Sequence, residues 1–186
     1  MKKIAVFASG SGSNFQAIAE AAQAGTLPAT IELVVTDKPG AFVVERANRL
    51  GIPVLELAPK NFDSKAAYEQ AVVAELKAKG VEWVVLAGYM RLVGEILLGA
   101  YTNRIVNIHP SLLPSFPGKD AIGQAMTHGV KVTGVTVHYV DEGMDTGKII
   151  SQAAVDVVED DREATEARIH AVEHQLYTAT LKKIFS

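Results

Sequence analysis

Short apolar runs rich in β-branched residues alternate with helical patterns along most of this chain, and no other feature restricts its fold as strongly. Ile4–Ala8, Ile31–Val35, Val54–Leu57, Trp83–Ala87 and Ile105–Ile108 have the length and composition of buried strands. Between them, Phe15, Ile18, Ala19 and Ala22 share one helical face, with Ser13 or Asn14 as the expected cap and Gly25 as terminator. Phe42–Leu50 stops at Gly51, and Lys65–Lys79 stops at Gly80 after a cap at Asp63 or Ser64. Such alternation predicts βαβ units, and right-handed crossovers then place helices on both faces of a parallel sheet.

The last third changes period. Val135, Val137 and Tyr139 alternate with Thr136 and His138, as in a half-buried strand. The turn-rich Asp141–Gly147 and a second strand over Lys148–Val155 suggest an antiparallel hairpin. A long helix over Arg162–Phe185 follows, with Ile169, Val172, Leu176 and Leu181 inward and Asp160 and Asp161 at its positive end. The expected fold is α/β, with a single-domain, Rossmann-like, mostly parallel twisted sheet, helices on both faces, and a C-terminal antiparallel hairpin plus long helix.

Composition narrows the function classes. At 186 residues, 48% hydrophobic and 21% charged, the chain reads as one globular domain, 1–186. A formal net charge of −3 gives no basic footprint for nucleic acid. Cysteine is absent, which removes disulfides, thiolate metal sites and thioester intermediates together and points to a reducing cytoplasm. The apolar start stops at Ser9-Gly10, short of a signal peptide's core, and no run approaches the ~20 residues of a membrane span.

Three segments carry chemistry. In Ile105-Val-Asn-Ile-His-Pro110, Asn107 and His109 lie two apart, so an extended backbone points both side chains one way and Val106 and Ile108 the other. A carboxamide donor beside an imidazole suits a carbonyl oxygen that gains negative charge. Ser9-Gly-Ser-Gly-Ser-Asn14 joins the first strand to the first helix and concentrates amides and hydroxyls where an anion is favoured. Phe15 stands where a dinucleotide fingerprint needs its third glycine, and the P-loop lysine is missing, so a monophosphate is the expected ligand. The proline-bounded loop Pro110–Gly118 is rigid, with Leu113–Pro114 as the candidate cis bond, and Asp145 lies in the glycine-punctuated loop beyond the hairpin strand.

His170-Ala-Val-Glu-His174 also matches a zinc-protease pattern, although nothing in the sequence nominates a third ligand. His128, before Gly129, suits a helix C-terminus. His138 reads as a packed or hydrogen-bonded strand residue that could help line the site.

Taken in order, Ser9–Asn14, Leu86-Ala-Gly-Tyr-Met-Arg91, Asn107-Ile-His-Pro-Ser-Leu-Leu-Pro114, Phe116-Pro-Gly118, Thr136-Val-His-Tyr-Val140 and Asp141-Glu-Gly-Met-Asp145 resemble the folate-dependent phosphoribosylglycinamide formyltransferases from end to end. The resemblance implies the formyltransferase fold and direct transfer of a formyl group from 10-formyltetrahydrofolate, a co-substrate, to the amino group of glycinamide ribonucleotide in purine biosynthesis. By position, it implies that Gly12, Ser13, Asn14 and Glu173 contact the nucleotide. Lys65, Met90, Arg91, Leu92, Val93 and Asn107 would contact the folate, and His109, Asn107 and Asp145 would form the catalytic set. Residues 1–100 would be the nucleotide-phosphate half and 101–186 the catalytic and folate half. No metal, nucleic acid or membrane partner is implied, and oligomeric state is left open.

Two positions depart from the family pattern: Lys148 replaces a proline after Gly147, and Lys65 stands where some members carry arginine. The alternatives are a related formyl-folate enzyme, such as a 10-formyltetrahydrofolate hydrolase, and more remotely a zinc hydrolase using His170 and His174.

Overall fold

A computed structural model describes residues 1–186. The strands are β1 (Lys2–Phe7), β2 (Ala29–Thr36), β3 (Val54–Glu56), β4 (Trp83–Leu86), β5 (Ile105–His109), β6 (Val132–Tyr139) and β7 (Ile149–Asp156). The helices are α1 (Ser13–Gln23), α2 (Phe42–Arg49), α3 (Lys65–Ala78), α4 (Glu95–Ala100), α5 (Ala121–His128) and α6 (Arg162–Phe185). All seven predicted strands are present, with some ends unchanged and the others moved by one to three residues.

The sheet order is β3-β2-β1-β4-β5-β6-β7. Strands β1 to β5 run parallel, while β6 is antiparallel to β5 and β7 to β6. The chain winds outward from β1 through β2 to β3, then returns to the other side of β1 with β4. Such a reversal opens a crevice at the carboxyl ends of the central strands. The loops after β1, β4 and β5 are the ones that carried chemical motifs.

Both faces of the central strands are covered, which is why they read as unbroken apolar runs. Ile4 and Val6 of β1 join a core with Phe15, Ile18, Val106, Ile108 and Tyr177, on the side of α1 and α6. Ala5 and Phe7 join the opposite core with Tyr68, Val72, Leu76 and Leu97, on the side of α3 and α4. The expected separation of Val106 and Ile108 from Asn107 and His109 is therefore observed.

Helix α6 lies slightly rotated from the expected stripe. Ile169 and Leu181 are buried, but the line between them runs through Glu173 and Tyr177, while Val172 and Leu176 only flank the core. Tyr177 is fully buried and donates through its hydroxyl to Leu86 O at 2.7 Å, with Val106 O at 3.2 Å, tying the helix to the ends of β4 and β5. Tyr177→Phe strands those carbonyls, so we expect a loss of about 1–3 kcal/mol in urea unfolding, with an unchanged m-value.

Local signals were unevenly legible. Ser64 caps α3 by accepting from Ala67 N, and Asp161 caps α6 by accepting from Ala164 N, both at 3.0 Å. The cap of α1, however, is neither Ser13 nor Asn14. Gly12 occupies it in a left-handed conformation, and no side chain bonds the helix start. Helix α4 has too few residues for a periodic signal; it starts where the Glu69 carboxylate, from α3, accepts from Gly94 N at 2.7 Å and Leu97 N at 3.1 Å. The Leu113–Pro114 bond is cis.

Candidate active site

A cleft of about 410 Å³ opens at the sheet reversal, lined by Gly10–Asn14, Leu86–Val93, Asn107–Pro110, Gly118–Ile122, His138, Val140, Gly143–Asp145, His170 and Glu173. Every residue that the formyltransferase resemblance nominated lines it except Lys65. That residue is exposed on the first turn of α3, with its Cε 3.0 Å from where a Cβ on Gly94 would stand. Residues from 1–100 and 101–186 contribute to both ends of the cleft: Met90–Val93 come from the first half, and His170 and Glu173 from the second.

At one end, the backbone turns sharply into α1 at Gly12, with φ of 75°. A Cβ there would lie 2.6 Å from Val43 Cγ2, so both the dihedral angle and the packing of α2 exclude other residues. The first α1 amide with a helical partner is that of Gln16, which bonds Gly12 O at 2.9 Å. The amides of Ser13, Asn14 and Phe15 have no helical partner, and such amides favour an anion. Because Ser13 and Asn14 fall inside the first turn, their side chains are not consumed in capping, and Asn14 Oδ1 is buried without a partner. Arg46 adds positive charge, donating from Nε to Ser11 O at 2.7 Å. Thirty-five residues separate that pair, and nothing in the sequence announced it.

In the middle, β5 presents Asn107 and His109. The His109 ring is buried; Nε2 donates to Phe116 O at 2.9 Å, and Nδ1 stands 3.5 Å from Asp145 Oδ2. A carbonyl can only accept, so the proton on Nε2 is fixed by the Pro110–Gly118 loop, and Nδ1 is the nitrogen that confronts the acid. Asp145 adopts a left-handed conformation, with φ of 56°, and accepts from Gly118 N at 2.9 Å. Its loop is braced by Asp141, which accepts from Gly143 N at 2.9 Å and Thr146 Oγ1 at 2.7 Å. Lys148 follows the loop, and its carbonyl accepts from Tyr139 N at 2.9 Å.

His138, paired with Asn107 across β5 and β6, completes the group. Nδ1 donates to Tyr139 O at 2.8 Å, which leaves Nε2 as acceptor 3.5 Å from Asn107 Nδ2. Asp145 Oδ1 lies 3.7 Å away and favours a charged ring, but burial outweighs it and pushes His138 below its ordinary range. A neutral His138 engages one amide hydrogen of Asn107 and leaves the other for the cleft.

The sign of the resulting pH effect follows from linkage. His138 in the unfolded chain takes up a proton as pH falls below its ordinary 6.5, whereas the folded chain resists. Its contribution is thus present above that value and is lost on acidification. We expect Tm to fall as pH drops below about 6.5, less steeply in His138→Gln; equal slopes would count against the assignment. His170 acts in the opposite sense, since the Glu173 carboxylate 2.6 Å away holds it above its ordinary range, but half exposure screens that pair.

The zinc pattern on α6 is not assembled as a site. His170 is engaged with Glu173, His174 Nε2 is buried without a partner, and no group of three or more His, Cys, Asp or Glu is arranged to hold a metal ion.

A doubly wound sheet whose crevice joins an amide-rich turn to a carboxamide, an imidazole and an acid fits a group-transfer enzyme, and the comparisons with known proteins give that class. The family model described as formyl transferase matches residues 2–181. Phosphoribosylglycinamide formyltransferase of Bacillus subtilis (strain 168) is 54% identical over 185 residues, 99% of this chain and 95% of the relative. The crystal structure of phosphoribosylglycinamide formyltransferase from Bacillus halodurans is 61% identical, with a TM-score of 0.97 over 100% of this chain and 96% of that one. Glycinamide ribonucleotide transformylase 1 from Geobacillus kaustophilus is 58% identical, with a TM-score of 0.97 over 100% of both chains. The chain belongs to the formyl transferase family, among the phosphoribosylglycinamide formyltransferases.

Proposed function

We propose that this enzyme transfers the formyl group of 10-formyltetrahydrofolate directly to the amine of glycinamide ribonucleotide, in the cytoplasm and without a metal. The single observation that carries the reading is the shared cleft, in which the Gly10–Asn14 turn, the Asn107–His109–Asp145 group and the Leu86–Val93 segment face one space. Gly12, Ser13 and Asn14 hold the phosphate. Glu173, one carboxylate oxygen held by His170, faces the glycinamide or ribose part.

Met90, Arg91, Leu92 and Val93 take the folate, with Lys65 at the rim. Met90 and Leu92 expose apolar side chains at 61% and 45%, which suits a flat heterocycle better than water. Asn107 also lies within reach of the folate's reacting end.

The unprotonated amine attacks the formyl carbon, and the carbonyl oxygen becomes an oxyanion. Asn107 donates its free amide hydrogen to it, and His109 donates from Nδ1 when that nitrogen carries a proton. One preorganised donor is worth about 3–4 kcal/mol. Asp145 braces the charged ring and positions a water that carries the amine's proton toward the departing folate nitrogen. Residues 1–100 and 101–186 act as one domain, since a single sheet runs through both and each half supplies contacts to both substrates.

The deciding experiment follows tetrahydrofolate formation optically, with and without glycinamide ribonucleotide. Formation that requires the nucleotide supports the transferase; equal formation without it overturns the reading in favour of a hydrolase. Ser13→Ala and Asn14→Ala should raise KM for the nucleotide about fivefold and leave KM for the folate nearly unchanged. Equal rises would contradict the phosphate assignment.

A further inference from the structure

Ser9 ends the β1 strand's run into the loop and is 3% exposed. Its N–H donates to Gly88 O at 3.0 Å, its hydroxyl donates to Asp37 Oδ1 at 2.5 Å, and Met90 N donates to its Oγ at 2.8 Å. Asp37, just beyond β2, is itself 7% exposed, and no cationic side chain pairs with it. A buried acid without a counter-ion is costly to fold, and nothing in the proposed chemistry uses this one.

We propose that Ser9, oriented by Asp37, is a positioning residue that anchors the Met90–Val93 segment beside the nucleotide loop, so that one hydroxyl places the docking segment of the folate. This inference rests on the folate assignment above. A carboxylate only accepts, so it draws Ser9's single hydrogen toward itself and leaves a lone pair aimed at the Met90 N–H. The ends of β1, β2 and β4, adjacent in the sheet, are thereby latched at the edge where the cleft opens. Tyr89 beside it is turned inward, against Phe7 at a centroid distance of 5.3 Å, with its hydroxyl 3.1 Å from that of Tyr68. Met90 is 61% exposed, so burial does little to place it and its backbone anchor matters more.

Hydrogen exchange on the whole enzyme, with and without tetrahydrofolate, first tests the underlying assignment. If the folate does not protect residues 90–93 in the wild type, that assignment fails, whatever Ser9 does. Given protection, Ser9→Ala should speed exchange at the Met90 amide and raise KM for 10-formyltetrahydrofolate about five- to tenfold. The nucleotide's KM and kcat should stay within about twofold. Asp37→Ala should reproduce this pattern. Asp37→Asn should retain most of the folate affinity, because a carboxamide oxygen still accepts from Ser9. If Asp37→Ala does not fold, Ser9→Ala and Asp37→Asn decide the matter. A folate KM that is unmoved in Ser9→Ala despite faster Met90 exchange, or equal rises for both substrates, would overturn the proposal.

Discussion

Asp145→Asn should cut kcat by roughly 10²–10⁴, while KM and Kd for glycinamide ribonucleotide stay within about twofold of wild type. The substitution is nearly isosteric, and its oxygen can still accept from Gly118 N, now at 2.9 Å, so the loop is retained. What disappears is negative charge 3.5 Å from His109 Nδ1 and 3.7 Å from His138 Nε2. A carboxamide set against an imidazolium offers little stabilisation and can present a donor where an acceptor is needed. The Gly10–Asn14 turn, at the start of α1 and proposed to hold the phosphate, is untouched. Steady-state kinetics with each substrate varied separately checks the split. A variant with the wild-type rate across neutral pH would show that the acid does not govern the His109 ring.

Gly12→Ala should lower stability by about 2–4 kcal/mol, from left-handed strain of about 1–2 kcal/mol plus overpacking against α2. It should also raise KM for the nucleotide at least tenfold, because a misplacement of about 1 Å in a docking group costs that much or more. The physical origin is divided between the φ of 75° and the 2.6 Å approach to Val43 Cγ2. Adding Val43→Ala separates the two: the overlap falls, although Val43 Cα at 3.1 Å remains close, and the strain persists. Partial recovery of Tm with little recovery of KM is expected. Full recovery of both in the double variant would show that the dihedral angle is of no consequence.

The central strands of this enzyme were legible because burial on both faces writes itself as unbroken apolar runs, and α6 because its 24 residues exceed what a short element could hide, although its inward face lies slightly rotated. The donor-rich turn could be read as well, since its serines, glycines and asparagine are consecutive in the chain between a strand and a helix. Two kinds of feature escaped. Gly12 took the cap expected of Ser13 or Asn14 because the backbone there is dictated by Val43, thirty-one positions away. Helix α4 and Arg46 depend on partners from other elements: Glu69 caps the first, and Ser11 O receives the second. The sequence marks His138 only as a packed or hydrogen-bonded strand residue that could help line the site. Only its register opposite Asn107 shows how its neutral ring steers that amide.

By itself, the sequence determined what is encoded in neighbouring residues. That includes the alternation of strands and helices, the shared face of Asn107 and His109, and the donor-rich turn before α1. Periodicity and local dihedral preference are properties of short segments, so they survive without knowledge of the fold. Which way each His109 nitrogen is committed, that Asp145 reaches it, that Ser9 ties Met90 to Asp37, and that Lys65 stays outside the cleft were decided by tertiary structure. Each depends on hydrogen bonds or distances between residues far apart in the chain, set by the strand order at the sheet's reversal.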